Sequence, residues 1–157
     1  IECWKNIAKK HPDWHLDIYG EGSLGRELQQ QIDFSELKDK VTLRGRRDNM
    51  MEKYTEYSLH IMTSRHEGLP MTLIEAQACG LPSVAFNFKF GASDIIKDYH
   101  NGIIVEQGNI NLFVNAITDM MNNEKMRMEQ GRKALENSRR FYAENIMPEW
   151  QKLIDGL

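Results

Sequence analysis

Cysteine is nearly absent: Cys3 and Cys79 are the only two among 157 residues. Two thiols build no disulfide framework, and the "QACG" setting of Cys79 suits a small, reduced, packed side chain. No apolar run approaches the roughly 20 residues that a membrane-spanning helix needs, and no signal peptide is visible, so a cytoplasmic location is expected. An excess of positive charge is missing too. Twenty Lys and Arg face 23 Asp and Glu, a net charge of −3, which argues against a nucleic-acid partner. Basic residues do gather late (Lys125, Arg127, Arg132, Lys133, Arg139, Arg140), but Glu124, Glu129, Glu136 and Glu144 interleave with them. A solvated, salt-bridged helix face follows. The five histidines, His11, His15, His60, His66 and His100, have no metal-ligand spacing, so no metal is assigned; His60, between Leu59 and Ile61, reads as an interior or strand-edge histidine.

What is present is an alternation. Short apolar, β-prone runs occupy 14–20, 40–45, 58–64, 82–87 and 102–106. Helical stretches lie between them at 1–10, 24–32, 48–57, 70–79, 93–98 and 109–121, and beyond 109 the chain is purely helical. Near-continuous apolar strands separated by helices predict a parallel sheet covered on both faces. The expected class is therefore α/β, a Rossmann-like doubly wound sheet. Asp48 and Asn109 are plausible N-caps, Pro70 suits a first helical turn, and Gly80 with Pro82 suits a helix end. Pro148 is expected to kink or restart the last helix. One domain spans 1–157, with a core over 1–122 and a helical tail over 123–157.

The segment "SRHEGLPMTLIEAQACGLPSVA" (64–85) places two acids, Glu67 and Glu75, in or beside an apolar run. Burying a carboxylate without a partner costs several kcal/mol, so these two must hold something. In an open parallel sheet, ligands bind outside the carboxyl ends of the strands. The loops there are 20–25, 44–49, 63–70, 87–93 and 106–109. Gly68 permits a tight turn, and the helix beginning near Leu69 or Pro70 aims its free N–H groups at the crevice, a ready phosphate site. Glu67 is placed to accept hydrogen bonds from neutral hydroxyls. Glu75, a turn and a half into the helix, needs paired donors such as the vicinal hydroxyls of a ribose. Together these fit a nucleotide-sugar diphosphate. The plainer alternatives stay open at this point: an exposed loop acid for Glu67, an ion pair with Arg46 or Arg65 for Glu75, and surface charges for Arg46 and Arg47. The G-x-G-x-x-G of "GEGSLG" is by itself a weak match to a dinucleotide fingerprint.

The same stretch closely resembles the signature of the retaining glycosyltransferases of family four, which have the GT-B fold. In that family an acid, seven intervening residues and a second acid ("EGLPMTLIE" here) bind the sugar-nucleotide donor. "LDIYGEG", "VTLRGRRDNMMEKY", "SLHIMTSRHEGLP" and "GASDIIKDYHNGIIVEQGN" are similar to the flanking strands and loops, from the first helix to about residue 122, and "MPEW" resembles the closing helices. The resemblance implies that Glu67, as the catalytic-centre acid, and the backbone of Gly68, Leu69 and Pro70 hold the donor sugar and phosphates. It implies that Glu75 binds the ribose, that the backbone around Arg46 and Arg47 receives the base, and that Gly20 to Gly22 line the cleft. No metal or other cofactor is implied; the donor is a UDP- or GDP-sugar. The acceptor would be a sugar or lipid-linked glycan in polysaccharide biosynthesis, with the whole enzyme at the inner face of the membrane by peripheral association.

The family's donor domain opens with a strand and a basic pair that this sequence does not contain, and an acceptor-binding amino-terminal domain would complete the cleft. The chain is therefore expected to be part of a longer two-domain enzyme, and inactive alone. A gap is expected where the missing first strand would sit, between "LDIYG" and "LHIMT". A non-catalytic nucleotide-binding or scaffold domain of the same fold is the competing reading. A GT-B epimerase is disfavoured by the double-acid pattern, and an NAD domain by the arginines of "VTLRGR", where an acid would be needed.

Overall fold

The computed structural model describes residues 1–89 and 91–156; Phe90, within the loop 87–93, and Leu157, at the end of the helical tail, lie outside the described residues. Five strands alternate with helices: α1 (Glu2–Lys10), β1 (Leu16–Tyr19), α2 (Gly25–Phe34), β2 (Val41–Gly45), α3 (Met50–Tyr54), β3 (His60–Met62), α4 (Met71–Ala78), β4 (Ser83–Asn87), α5 (Ala92–Ile95), β5 (Gly102–Glu106) and α6 (Ile110–Asn122). Then α7 (Glu124–Ser138), a 3-10 turn (Arg139–Phe141) and α8 (Ala143–Asp155) follow. All five apolar runs form strands, and every pairing is parallel. This is the expected α/β class.

The strands form two sheets, β1–β2 and β3–β4–β5. Among the described residues no backbone ladder joins β1 to β3, so the break falls where it was expected. One core nonetheless serves both sheets. Trp4 and Ile7 of α1, Ile32 of α2, Val41 of β2, Val84 and Phe86 of β4, Ile103 and Val105 of β5 and Phe113 of α6 are buried in a single cluster, with Leu16 and Ile18 packed against it. Helix α6 shows why: Phe113, Ala116, Ile117, Met120 and Met121 recur at helical spacing and all are buried. Each large side chain so enclosed contributes about 1.5–3 kcal/mol. On the opposite face of β3–β4–β5, α4 and α5 bury Leu73, Ile74, Ala92 and Ile95. Strand β4, flanked on both sides, is buried from Ser83 to Phe86. Layers on both faces make the architecture doubly wound.

Three local expectations need correction. Helix α3 starts at Met50 with Asn49 at the cap position and no side-chain cap. Asp48 lies one residue too early; its carboxylate faces Arg46 Nε at 3.7 Å, and Asn49 donates to Glu52 Oε2 at 2.7 Å. Pro148 neither breaks nor restarts α8, which runs through it. The missing N–H there leaves only the carbonyl of exposed Glu144 unbonded within the helix, and water can satisfy it. Pro70, expected in a first helical turn, stands one residue earlier, at the cap position of α4. Other signals held: Asn109 accepts from Leu112 N at 3.2 Å, and Gly80 follows α4 with φ of +71°. Helix α7 docks on α4 through a close glycine contact. A Cβ on Gly131 would lie 2.3 Å from Gly80 O. Asn137 Nδ2 donates to Gln77 Oε1 at 2.8 Å and to Ile95 O at 3.0 Å, bolting the same contact. The late charges pair as expected, Glu129 with Arg132 and Lys133, and Arg132 with Glu136.

Candidate functional site

Parallel strands put the carboxyl ends of each sheet on one edge, and the loops leaving that edge hold the residues singled out in the sequence. Strand β3 ends at Met62 and leads through 63–70 into α4. Glu67 is half-buried in that loop, Gly68 and Leu69 are exposed, and Pro70 is buried. Two neighbouring loops brace it. Gln107, after β5, donates through Nε2 to Arg65 O at 3.2 Å. Gly91, after β4, has φ of +100°, and a Cβ there would meet Pro70 Cδ at 2.6 Å. The glycine lets that loop close onto the start of α4, where Met71 N donates to Leu69 O at 2.8 Å and Leu73 N to Pro70 O at 3.0 Å, so the first turn offers fewer free N–H groups than the sequence suggested.

Glu75 is half-buried on α4, between buried Ile74 and Ala76. It pairs with neither Arg46 nor Arg65. Its Oε2 accepts a hydrogen bond from Tyr54 Oη of α3 at 3.3 Å. Tyr54 is 6% exposed, and its ring stands edge-on to His60, with centroids 5.9 Å apart. Burial, then the Glu75 charge and the hydrogen bond to it, push the Tyr54 phenol far above its ordinary value, so it stays a donor. His60 Nδ1 lies 3.1 Å from Ser83 Oγ. The residue keeps some exposure on its edge strand, but its imidazole is crowded by Tyr54 and Ser83, and burial lowers its pKa to about 4. A satisfied neutral histidine is what the sequence suggested.

Gly20 and Gly22 sit in the loop after β1, and Arg46 and Arg47 in the loop after β2, all exposed. The two loops touch. Gly20 N donates to Gly45 O at 3.0 Å, and Arg46 N to Glu21 Oε1 at 3.4 Å. A cavity of about 620 Å³ lies beyond the ends of β4 and β5, lined by Asn87, Asp98, Ile104, Glu106 and Gln107. Neither Glu67 nor Glu75 lines it. Tyr54, Glu21 and Gln107 are the partners that sequence reading missed. Tyr54 had a faint signal, an aromatic at the inward position of a short helix, but nothing in the sequence tells which group its hydroxyl meets. Among the described residues no cluster of three His, Cys, Asp or Glu could hold a metal ion, and no helix is long and apolar enough to cross a membrane.

A doubly wound parallel domain with its marked residues at the carboxyl edge of the strands is the Rossmann-like carboxyl-terminal half of a GT-B fold, matched over 97% of this chain by TarM from S. aureus. That structure, of a TarM variant in complex with fondaparinux, alpha-GlcNAc-glycerol and UDP, superposes with a TM-score of 0.91 at 33% identity, and this chain covers 31% of it. The family described as glycosyl transferases group 1 matches residues 1–137, and the chain belongs to it. An uncharacterized glycosyltransferase of Haemophilus influenzae is 32% identical over 98% of this chain and 44% of its own length. A poly(ribitol-phosphate) alpha-N-acetylglucosaminyltransferase of Staphylococcus aureus is 33% identical over 99% of this chain and 32% of its own. The chain thus spans less than half the length of these relatives.

Proposed function

We propose that this chain is the donor-binding domain of a retaining glycosyltransferase of family four, acting in polysaccharide biosynthesis with a UDP- or GDP-sugar as donor and no metal or other cofactor. The observation that carries the reading is Glu75, a half-buried carboxylate eight positions after Glu67 with a phenol, not a cation, as its partner. A charge held that way has acceptor sites left over for a neutral diol. In this reading the ribose occupies them, the positive dipole end of α4 faces the phosphates, and Glu67 accepts hydrogen bonds from the sugar hydroxyls beside the anomeric carbon. The backbone at Gly68, Leu69 and Pro70 lines the sugar and phosphate, Gly20 and Gly22 the cleft, and the backbone at Arg46 and Arg47 the base. The TarM variant's UDP is consistent with such a ligand on this fold. The relatives extend well beyond the matched region, which leaves room for an acceptor-binding domain holding a sugar or lipid-linked glycan. The enzyme then works in the cytoplasm, at the inner membrane face by peripheral association when the acceptor is lipid-linked.

Titration calorimetry of the intact protein with UDP, GDP and their sugars tests this. Glu75→Ala is expected to weaken nucleotide binding about tenfold or more, in line with loss of a hydrogen-bonded charge. A variant with unchanged affinity and a lower melting temperature would make Glu75 structural and return the domain to the scaffold class.

A further inference from the structure

Glu75 reaches the site on a flexible side chain, and the structure supplies something to aim it. Tyr54 is held from several sides. Its ring packs with Ala76 and Leu81, with Met50, Tyr57 and Cys79 around them, and meets His60 edge-on. Cys79 Sγ donates to Met51 O at 3.3 Å, tying the far end of α4 to α3. The Tyr54 oxygen is therefore a fixed point on the flank of α4, and it points at Oε2 of Glu75.

We propose that Tyr54 is a positioning residue for nucleotide binding, its hydroxyl engaging one lone pair of Glu75 Oε2 so that the remaining carboxylate lone pairs face the ribose diol. This rests on the reading of Glu75 given above and deepens it. Held in one rotamer, the carboxylate loses less side-chain entropy on binding than an untethered glutamate would. The 3.3 Å separation is long for an O–H···O bond, as in many unliganded sites, and has room to tighten when a ligand draws the carboxylate up. A purely structural role for Tyr54 would place its effect on stability; a positioning role places it on recognition of the two ribose hydroxyls.

The experiment measures the affinity of the intact protein for UDP and for the dideoxy analogue of UDP that lacks both ribose hydroxyls. Tyr54→Phe keeps the ring in its packing. It is expected to weaken UDP about threefold to tenfold, the worth of one hydrogen bond, to leave the dideoxy analogue unchanged, and to have no further effect in a Glu75→Ala background. Glu75→Asp, which withdraws the carboxylate from the phenol without disturbing Tyr54, is expected to show the same selective loss. If Glu75→Ala weakens UDP while Tyr54→Phe and Glu75→Asp bind it normally, the positioning role is wrong and the reading of Glu75 survives. Equal loss for both nucleotides in Tyr54→Phe also overturns the positioning role. If Glu75→Ala binds UDP as the unaltered protein does, or the unaltered protein binds none, the reading of Glu75 falls and this inference with it.

Discussion

Tyr57 Oη donates to Asp17 Oδ2 across 2.6 Å, so the residue leading into β3 is fastened to β1. With its proton committed to the carboxylate, Tyr57 accepts from Tyr19 Oη, also at 2.6 Å, and the two rings meet edge-on. Arg44 Nε of β2 reaches the same Asp17 oxygen at 2.9 Å. No backbone ladder joins the two sheets among the described residues, which leaves this side-chain cluster and the shared apolar core to hold them in register.

Removing that hydroxyl should therefore be costly. Tyr57→Phe leaves the mostly buried Asp17 with the half-exposed Arg44 alone, while Asp17 Oδ1 already lacks a partner. Loss of a hydrogen bond to a charged group costs about 1.5–3 kcal/mol. Urea unfolding should show a loss in that range. Arg44→Met should cost less, under about 1 kcal/mol, because Arg44 is half-exposed and Tyr57 still donates to the same Asp17 oxygen. Equal, negligible losses in both variants would mean that the sheets are held by the apolar core alone.

Three groups, buried Tyr54 and half-buried Tyr57 and His60, shape the pH dependence of stability. The Tyr57 phenol is raised above its ordinary value by burial and by its bonds to Asp17 and Tyr19, and Tyr54 is raised by burial and Glu75. Above about pH 10 the unfolded chain releases these protons and the folded one retains them, so stability should fall as pH rises. His60 works the other way. Its pKa is lowered to about 4 by burial, so from about pH 6.5 downward the unfolded state gains a proton that the folded state refuses, and stability falls until about pH 4. Denaturant midpoints at a series of pH values should trace a plateau with two falling limbs. Tyr57→Phe should flatten the alkaline limb and His60→Asn part of the acid one; limbs identical in the variants would mean that other groups govern both.

How much of this was legible follows the physics of each feature. Strands such as "PSVAFN" declare themselves, because burial on both faces demands an unbroken apolar run, and β4 is that strand. Asn109 and Gly80 were readable because caps and helix ends are local chemistry. Asp48 misled for the same reason: it is a cap-forming residue, but the register of α3 puts Asn49 at the cap position instead. The acids were visible as anomalies, carboxylates set in apolar sequence. Their surroundings were not, since Tyr54 stands 21 positions from Glu75 and Tyr57 stands 40 from Asp17. Side-chain bonds of that span leave no periodic trace.

The loop after β4 offers a direct test of the site. Gly91→Ala adds a methyl group 2.6 Å from Pro70 Cδ at a φ of +100°. With ψ of −34° the backbone there lies outside the regions open to an L side chain, a strain of about 1–3 kcal/mol, and the clash pushes on the residue that opens α4. Nucleotide affinity in calorimetry should drop several-fold, beyond what the loss of melting temperature explains. A variant that melts earlier yet binds UDP normally would place the start of α4 outside the binding surface.

Gly131→Ala should reverse the sign that helix propensity alone would give. In the middle of an exposed helix, replacing glycine by alanine stabilises by about 1 kcal/mol. Gly131 sits in the middle of α7, but its Cα faces the turn that ends α4, where an added Cβ would lie 2.3 Å from Gly80 O and 3.4 Å from Pro82 Cδ. Backbone cannot rotate away as a side chain can, so α7 must lift, and lifting it strains Asn137's bonds to Gln77 and Ile95. Overpacking of that kind costs about 1–3 kcal/mol, enough to outweigh the helical gain. Calorimetric melting should therefore fall in the variant. Because α4 carries Glu75 on the side facing α3 and this contact on the side facing α7, the displacement should also reach nucleotide affinity. A stabilised Gly131→Ala protein would mean that α7 does not sit against α4 in solution.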